Sequence, residues 1–502
     1  MNSRKLFYLF LFIVHSASGQ NRNKLDSLFS ALENSHRFNG NVLIGKKDRT
    51  IYHRSVGNAQ MDPPKKMRGN SAFQIGSISK TFTAVAVLQL VKQHKLSLED
   101  NLSKYFPEIP YQNISIYHLL GHTSGLPDKE ELFFPLIDAN ADYIATNDSI
   151  ITVLKKAKKA LAFEPGSQWR YNNIGFCLLA NLVEKVSGEP FGSYLRNHIF
   201  IPTGMKNSYL LGQEQQDSSL VHGYLIRHHY LGDLEDITYS KKVIRWTYNL
   251  RKLYGPTNIV STAEDLFRFI NALGKYKLLD RDLLKQAFSP VRLNDGSVVV
   301  ADGEFGSASY GLGWFVPSAI PFGNMVMHTG REPGFFSFFW YDVTNQKSII
   351  LLDNAESTGF GSACKETFNI VYGTNYFKPE SAAKKSLFLI YVKTLLKAGS
   401  NAGAALYNQL KTNTVEYFTD ERELNELGLE LLEDGHMEEA LEALKLATLI
   451  YPDSWNTYDS YAKALLENGM INEAIQMYTK SVTMFPGNLP AKDILKRLHA
   501  EK

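Results

Sequence analysis

The sequence is poor in cysteine, with only Cys177 and Cys364 in 502 residues. Two cysteines cannot form a disulfide framework, and these lack the close spacing of a zinc ligand pair. They leave one disulfide or two separately buried thiols, and the second reading suits a chain with an ordinary core better. Long apolar runs are also missing, since no stretch reaches the roughly 18 residues that a membrane-crossing helix requires. No sign of charge dominates: 54 basic residues against 51 acidic leave a formal +3, and no block of like charge forms a tail. That excludes nucleic acid as the expected partner. Gly 35 and Pro 18 are ordinary for this length, which excludes a collagen-like or wholly disordered chain. What is present is 44% hydrophobic and 12% aromatic residues. At roughly 150 residues per domain, that is apolar material for more than one core.

Arg4 and Lys5 precede an apolar run from Leu6 to Val14, and Ser16-Ala17-Ser18-Gly19 follows it. Basic residues, a short apolar core and small residues in that order predict a secretory signal peptide over residues 1–19. The run is too short to cross a ~30 Å hydrocarbon layer, so a membrane anchor is not expected. The sequence therefore predicts an exported protein, periplasmic or secreted, with no membrane span once the signal is removed.

Residues 38–57 predict a β-hairpin, two short runs flanking Lys46-Lys47-Asp48-Arg49. Ser77 to Lys92 is apolar around most of a helical circumference, the pattern of a helix buried in an interior. Residues 115–310 read as helices and loops, with stops at Pro127, Pro165, Pro190 and Pro256. Strand character returns at Met325 to His328, Phe335 to Tyr341 and Ser348 to Leu352. This predicts one sheet built from both ends of a domain, with a helical region inserted between them. After about Pro379 an internal repeat appears. Leu431, Leu432, Gly435, Glu439, Ala440 and Pro452 recur as Leu465, Leu466, Gly469, Glu473, Ala474 and Pro486, each 34 residues later. That is the tetratricopeptide period. Two units fall below the usual three, so residues near Leu395 to Tyr407 are expected to supply a degenerate helical cap.

Several hydrolase signatures are absent, among them Gly-x-Ser-x-Gly and His-Glu-x-x-His. Gly40 to Lys46 nearly spells a phosphate loop, but Lys47 stands where Ser or Thr is needed. His222, His228 and His229 lack the spaced carboxylate or thiolate partners of a metal site and read as loop histidines. Ser-x-x-Lys occurs at Ser77, Ser362, Ser381 and Ser460. Only Ser77-Ile78-Ser79-Lys80 opens a strongly apolar helix directly after a glycine turn. There the i and i+3 side chains share a face, and a buried ammonium at a helix N-terminus loses its proton more readily. A serine hydroxyl becomes a competent nucleophile when such a base stands beside it. Tyr171-Asn172-Asn173 adds a phenol that can carry a proton and an amide that can hold Lys80 and a substrate carbonyl. His328-Thr329-Gly330 lies on a strand whose backbone can pair with a peptide-like substrate and aim amides at an oxyanion. Each piece alone has a plainer structural reading; their conjunction carries the chemistry.

Residues 30–378 resemble the serine β-lactamase and penicillin-binding-protein superfamily, in its branch with class C β-lactamases, D-aminopeptidases, carboxypeptidases and related esterases. The segments that carry the resemblance are collinear. They are Phe73 to Lys80, Tyr117 to Leu126 with its His-Thr-Ser-Gly-Leu, Phe163 to Ser167 leading into Tyr171-Asn172-Asn173, Val260 to Leu266, and Tyr310 to Trp314. The resemblance implies an α+β fold, a twisted antiparallel sheet flanked by helices with an all-helical subdomain, followed here by all-α repeats. It implies Ser77 as the acylated nucleophile, with Lys80 and Tyr171 sharing proton transfer. Asn173, His328, Thr329, Gly330 and Arg331 would bind substrate, the N–H groups of Ser77 and Arg331 forming the oxyanion hole. One departure matters. The class C enzymes carry Lys-Thr-Gly where this chain has His328-Thr329-Gly330, and a histidine is mostly neutral at pH 7.

The expected organisation is a signal peptide over 1–19, a hydrolase domain over 20–378, a helical linker or cap over 379–420, and tetratricopeptide repeats over 421–502. The expected activity is hydrolysis of an amide or ester through a Ser77 acyl-enzyme, on a D-amino-acid peptide or cell-wall fragment. No metal or organic cofactor is expected. A class C-like β-lactamase is the enzymatic alternative. A catalytically weak binding module, recruiting a protein partner through the repeats, is the alternative of another class.

Overall fold

The computed structural model describes residues 20–212, 219–228, 230–301, 303, 305–318, 324–376 and 384–500. Residues 1–19, where a signal peptide is expected, and His229 lie outside them. The chain divides into two compact units, one formed by Met1–Leu225 with Glu235–Ala382, the other by Ile226–Leu234 with Ala383–Lys502.

The first unit is organised by a seven-stranded sheet, antiparallel throughout. Its strands run in the order Ala308–Tyr310, Phe315–Pro317, Met325–Glu332, Phe335–Asp342, Lys347–Asp353, Gly40–Lys46 and Arg49–Val56. The early hairpin thus completes a sheet whose other strands come after residue 300, as the return of strand character predicts. Side chains alternate between two covered faces. Val42, Ile44, Met325, Met327, Phe338 and Trp340 share one core with a helix over 20–34 and the helix Phe360–Tyr372, where Cys364 is buried. Leu43, Val326, Phe339 and Ile350 face the larger core, which includes the helices Ser79–Lys92 and Asn173–Ser187. Cys177 is buried there, and no disulfide joins the two cysteines.

The Ser79–Lys92 helix is buried from Ser79 to Leu90, as its unbroken apolar pattern requires. A 3-10 turn over Gly76–Ile78 precedes it, and Gly76 takes φ +49° there, a left-handed conformation that favours glycine. A Cβ on Gly76 would lie 2.7 Å from the backbone nitrogen of Arg331. The turn therefore rests directly on the strand. Ser337 Oγ ties the two together by donating to the Ile75 carbonyl at 2.7 Å.

The second unit is helical. Two helices, Leu387–Ala398 and Ser400–Leu410, occupy the stretch expected to form a linker or cap. Five more follow: Glu421–Glu433, Met437–Ile450, Trp455–Glu467, Ile471–Met484 and Leu489–Ala500. Equivalent helices start 34 residues apart, at Glu421, Trp455 and Leu489 and again at Met437 and Ile471. Ala440 and Ala474 are fully buried, and Gly435 and Gly469 take φ +82° and +77° at matching turns. A hairpin tip, Ile226–Leu234, belongs to this unit, and Tyr230 donates its hydroxyl to Asp434 at 2.6 Å.

Candidate active site

Ser77 stands in the 3-10 turn, half-buried, and Lys80 lies one turn on, fully buried. Lys80 Nζ is 3.0 Å from Ser77 Oγ, 2.9 Å from Asn173 Oδ1 and 3.3 Å from the Pro256 carbonyl. Burial pulls the Lys80 pKa from its ordinary 10.5 down to about 7, and the nearby Lys129 cation adds to the shift. A lysine that titrates near neutrality can act as a base. The Tyr171 ring lies beside the same nitrogen, its centroid 4.6 Å away, and the Ser77 hydroxyl is near enough to its phenol to act on it. Burial pushes the Tyr171 pKa well up, so the phenol keeps its proton at neutral pH.

Asn173 is the first residue of the Asn173–Ser187 helix, whose N-cap Asn172 accepts from Gly175 N–H at 2.7 Å. Its side-chain amide donates to Asp128 Oδ2 at 2.9 Å, which turns Oδ1 toward Lys80. The Asn173 and Ile174 backbone N–H groups donate to Asp128 Oδ1 at 2.9 and 3.1 Å. Asp128 also caps the Lys129–Ala139 helix. Sequence reasoning missed Asp128, whose only signal is a capping box that any surface helix could carry. It missed the Pro256 carbonyl too, reading that proline as a helix stop.

The Met325–Glu332 strand brings the third motif alongside. A Cβ on Gly330 would overlap the Ile75 carbonyl oxygen and Ser337 Oγ, so strand and nucleophile turn touch backbone to backbone. Strand alternation places His328, Gly330 and Glu332 on the face of Val326, toward the nucleophile helix. Thr329 and Arg331 alternate with Met327 to the opposite face.

The side chains of His328 and Arg331 take two different settings on this strand. The His328 side chain is completely buried and offers no surface to a substrate. Its Nδ1 is 2.6 Å from the Thr329 carbonyl, which can only accept, so Nδ1 carries the proton and Nε2 accepts from the Tyr310 hydroxyl at 3.2 Å. Burial, with the Lys80 charge nearby, lowers the His328 pKa to about 3. The Arg331 guanidinium turns to other partners. It is 3.7 Å from Glu356 and lies over the Phe336 ring, which leaves only the Arg331 backbone beside Ser77.

His122 packs between these groups, its ring 4.3 Å from Tyr171 and 4.7 Å from Tyr310. Its Nδ1 accepts the Asn172 N–H at 3.1 Å, and burial holds its pKa well below 6.5. The wall behind Lys80 is therefore aromatic and neutral. Among the described residues, no group of three or more His, Cys, Asp or Glu is arranged to hold a metal ion.

Comparison with known proteins follows this geometry. Residues 25–366 match the family model described as Beta-lactamase. Penicillin-binding protein 4* of Bacillus subtilis (strain 168) is 33% identical over 373 residues, 73% of this chain and 80% of that protein. The octameric penicillin-binding protein homologue from Pyrococcus abyssi superposes with a TM-score of 0.60 at 21% identity, over 75% of this chain and 81% of that one. D-amino acid amidase from Ochrobactrum anthropi SV3, in complex with D-phenylalanine, gives 0.58 at 21% identity, over 70% of this chain and 99% of that one. The chain belongs to the β-lactamase and penicillin-binding-protein superfamily of serine hydrolases.

Proposed function

We propose that this member of the superfamily is an exported hydrolase that cleaves amides or esters of D-amino-acid peptides through an acyl-enzyme on Ser77. The observation that carries the reading is the 3.0 Å approach of a buried Lys80 Nζ to Ser77 Oγ. Two of the three Lys80 partners, Asn173 Oδ1 and the Pro256 carbonyl, can only accept hydrogen bonds. A neutral amine has two protons for those carbonyls and one lone pair left for the Ser77 hydroxyl. Lys80 then takes the hydroxyl proton as Ser77 Oγ bonds to the substrate carbonyl carbon. The N–H groups of Ser77 and Arg331 receive the oxyanion. Tyr171 stays protonated and hands its proton to the departing nitrogen or oxygen while Lys80 replaces it. Water then enters, and the same groups run in reverse to release the acid. Asn173 orients Lys80, and the edge of the His328–Arg331 strand pairs with the substrate backbone.

His328 adds no cation, which disfavours efficient β-lactamase action, where a fixed charge meets the substrate carboxylate. The D-amino acid amidase among the structural neighbours supports the amide class by analogy. The 34-residue helical period supports a tetratricopeptide-type partner-binding role for the second unit. The basic-then-apolar opening supports export.

The test is intact-mass spectrometry of the protein exposed separately to a fluorophosphonate, a penicillin and a D-alanyl ester, with Ser77→Ala alongside. A Ser77-dependent fluorophosphonate adduct with ester turnover and no lasting penicillin adduct is expected. A long-lived penicillin adduct means a penicillin-binding protein, and rapid penicillin loss a β-lactamase. No adduct with any reagent overturns the enzymatic reading and leaves the repeats as the functional element.

A further inference from the structure

The Met325–Glu332 strand carries a carboxyl that the acyl-transfer steps do not use. Glu332 ends the Met325–Glu332 strand, next to Arg331, whose N–H is assigned to the oxyanion, and on the same face as His328 and Gly330. It is half-buried, and the Thr257 hydroxyl stands near enough to favour its charged form. Thr257 directly follows Pro256, the residue whose carbonyl accepts from Lys80. The Glu332 carboxyl thus shares the strand face turned toward the Lys80 helix, where the Lys80 and Lys129 charges both act on it.

None of those neighbours pairs with it. Lys80 is committed to Ser77, Asn173 and Pro256. Lys129 lies over the Trp246 ring, 4.2 Å from its centroid. Arg331 turns to Glu356 on the other face. Among the described residues Glu332 forms no ion pair, and a secluded carboxyl with one hydroxyl partner is poorly compensated. A cation arriving with the substrate would complete it. One strand residue advances about 3.3 Å. An α-ammonium is two bonds from the carbonyl carbon being attacked, so the two scales match.

Resting on the acyl-transfer reading above, we propose that Glu332, held by Thr257, is the specificity-determining residue that binds the free α-ammonium of the substrate's acyl residue. The enzyme would then act on amides, esters or peptides with an unblocked N-terminal residue. The same carboxylate repels a substrate carboxylate, which selects against penicillins and against C-terminal acids.

The experiment measures the rate at which a fluorophosphonate labels Ser77 in the full chain, with D-phenylalanine amide, N-acetyl-D-phenylalanine amide or Nα-acetyl-D-lysine amide as protecting ligand. Protection is expressed relative to each variant's own unprotected rate. In the wild type the free amine should protect at a concentration about tenfold or more below that of its acetylated twin. In Glu332→Gln, which keeps size and hydrogen bonding, that ratio should fall to within about twofold. Thr257→Val should fall between. Equal protection by the acetylated twin in the wild type, protection by neither, or a ratio that survives Glu332→Gln overturns the assignment. Preference for Nα-acetyl-D-lysine amide overturns the α-ammonium in favour of a side-chain one. A wild type that the fluorophosphonate fails to label, seen before any ligand is added, overturns the acyl-transfer reading instead.

Discussion

Asn173 gives both its backbone N–H and its side-chain amide to the carboxylate of Asp128, each at 2.9 Å. One proton of the amide nitrogen is thereby used, and Oδ1 is turned to meet Lys80. Asp128 touches no reacting atom and is a positioning residue. Asp128→Ala should lower kcat about 10- to 100-fold with a smaller change in KM, by analogy with losing the partner that orients a site residue. It should also move the acid limb of the pH–rate profile downward, because the Asp128 charge favours protonated Lys80. A purely structural loss would leave that limb in place.

If neutral Lys80 is the base, as proposed, acylation should rise with pH through an apparent pKa of about 7 and then level off. Lys129→Gln should shift this limb upward, because removing a neighbouring cation lets Lys80 keep its proton to higher pH. Histidine should leave no inflection of its own between pH 5 and 9. His328 titrates near 3, and His122 lies well below its ordinary value. Fluorophosphonate labelling rates across pH check all three statements.

The buried lysine costs stability at neutral pH. Its folded pKa lies below the unfolded value, so between about pH 7 and 10.5 the unfolded chain binds more protons and folding strengthens as pH rises. Relative to Lys80→Met, the wild type should gain about 3 kcal/mol between pH 7 and 9.5. Denaturant unfolding of both proteins at the two pH values reads that difference, and a constant gap would contradict it.

Gly330→Ala should cost about 10²- to 10³-fold in kcat, the scale of a lost oxyanion donor. The added Cβ meets the Ile75 carbonyl and Ser337 Oγ, so the strand must draw away from the nucleophile turn. Ser77 N–H and Arg331 N–H then no longer converge on one point. Unchanged circular dichroism with lost turnover is the expected pairing of results.

Much of the local structure was legible before folding was considered. Ser77 and Lys80 share a helical face whatever surrounds them, and the apolar run after them demands burial. The alternation of residues 38–57 makes a hairpin, and the 34-residue recurrence makes equivalent helices. Asp128, Pro256 and Glu332 were not legible. The Lys80 partners Asn173 and Pro256 lie 93 and 176 residues away in sequence, and Asp128 lies 45 residues from Asn173.

The sequence by itself determined the family and the pairing of Ser77 with Lys80, because these depend on residues a turn apart and on short collinear segments. Tertiary structure alone decided which way the third motif faces. Helices cover both sides of the sheet, so Met325-Val326-Met327 is apolar at every position and shows no inner or outer parity. Only packing reveals that His328 turns inward and is lost to solvent, that Arg331 turns out to Glu356, and that Glu332 shares the His328 face.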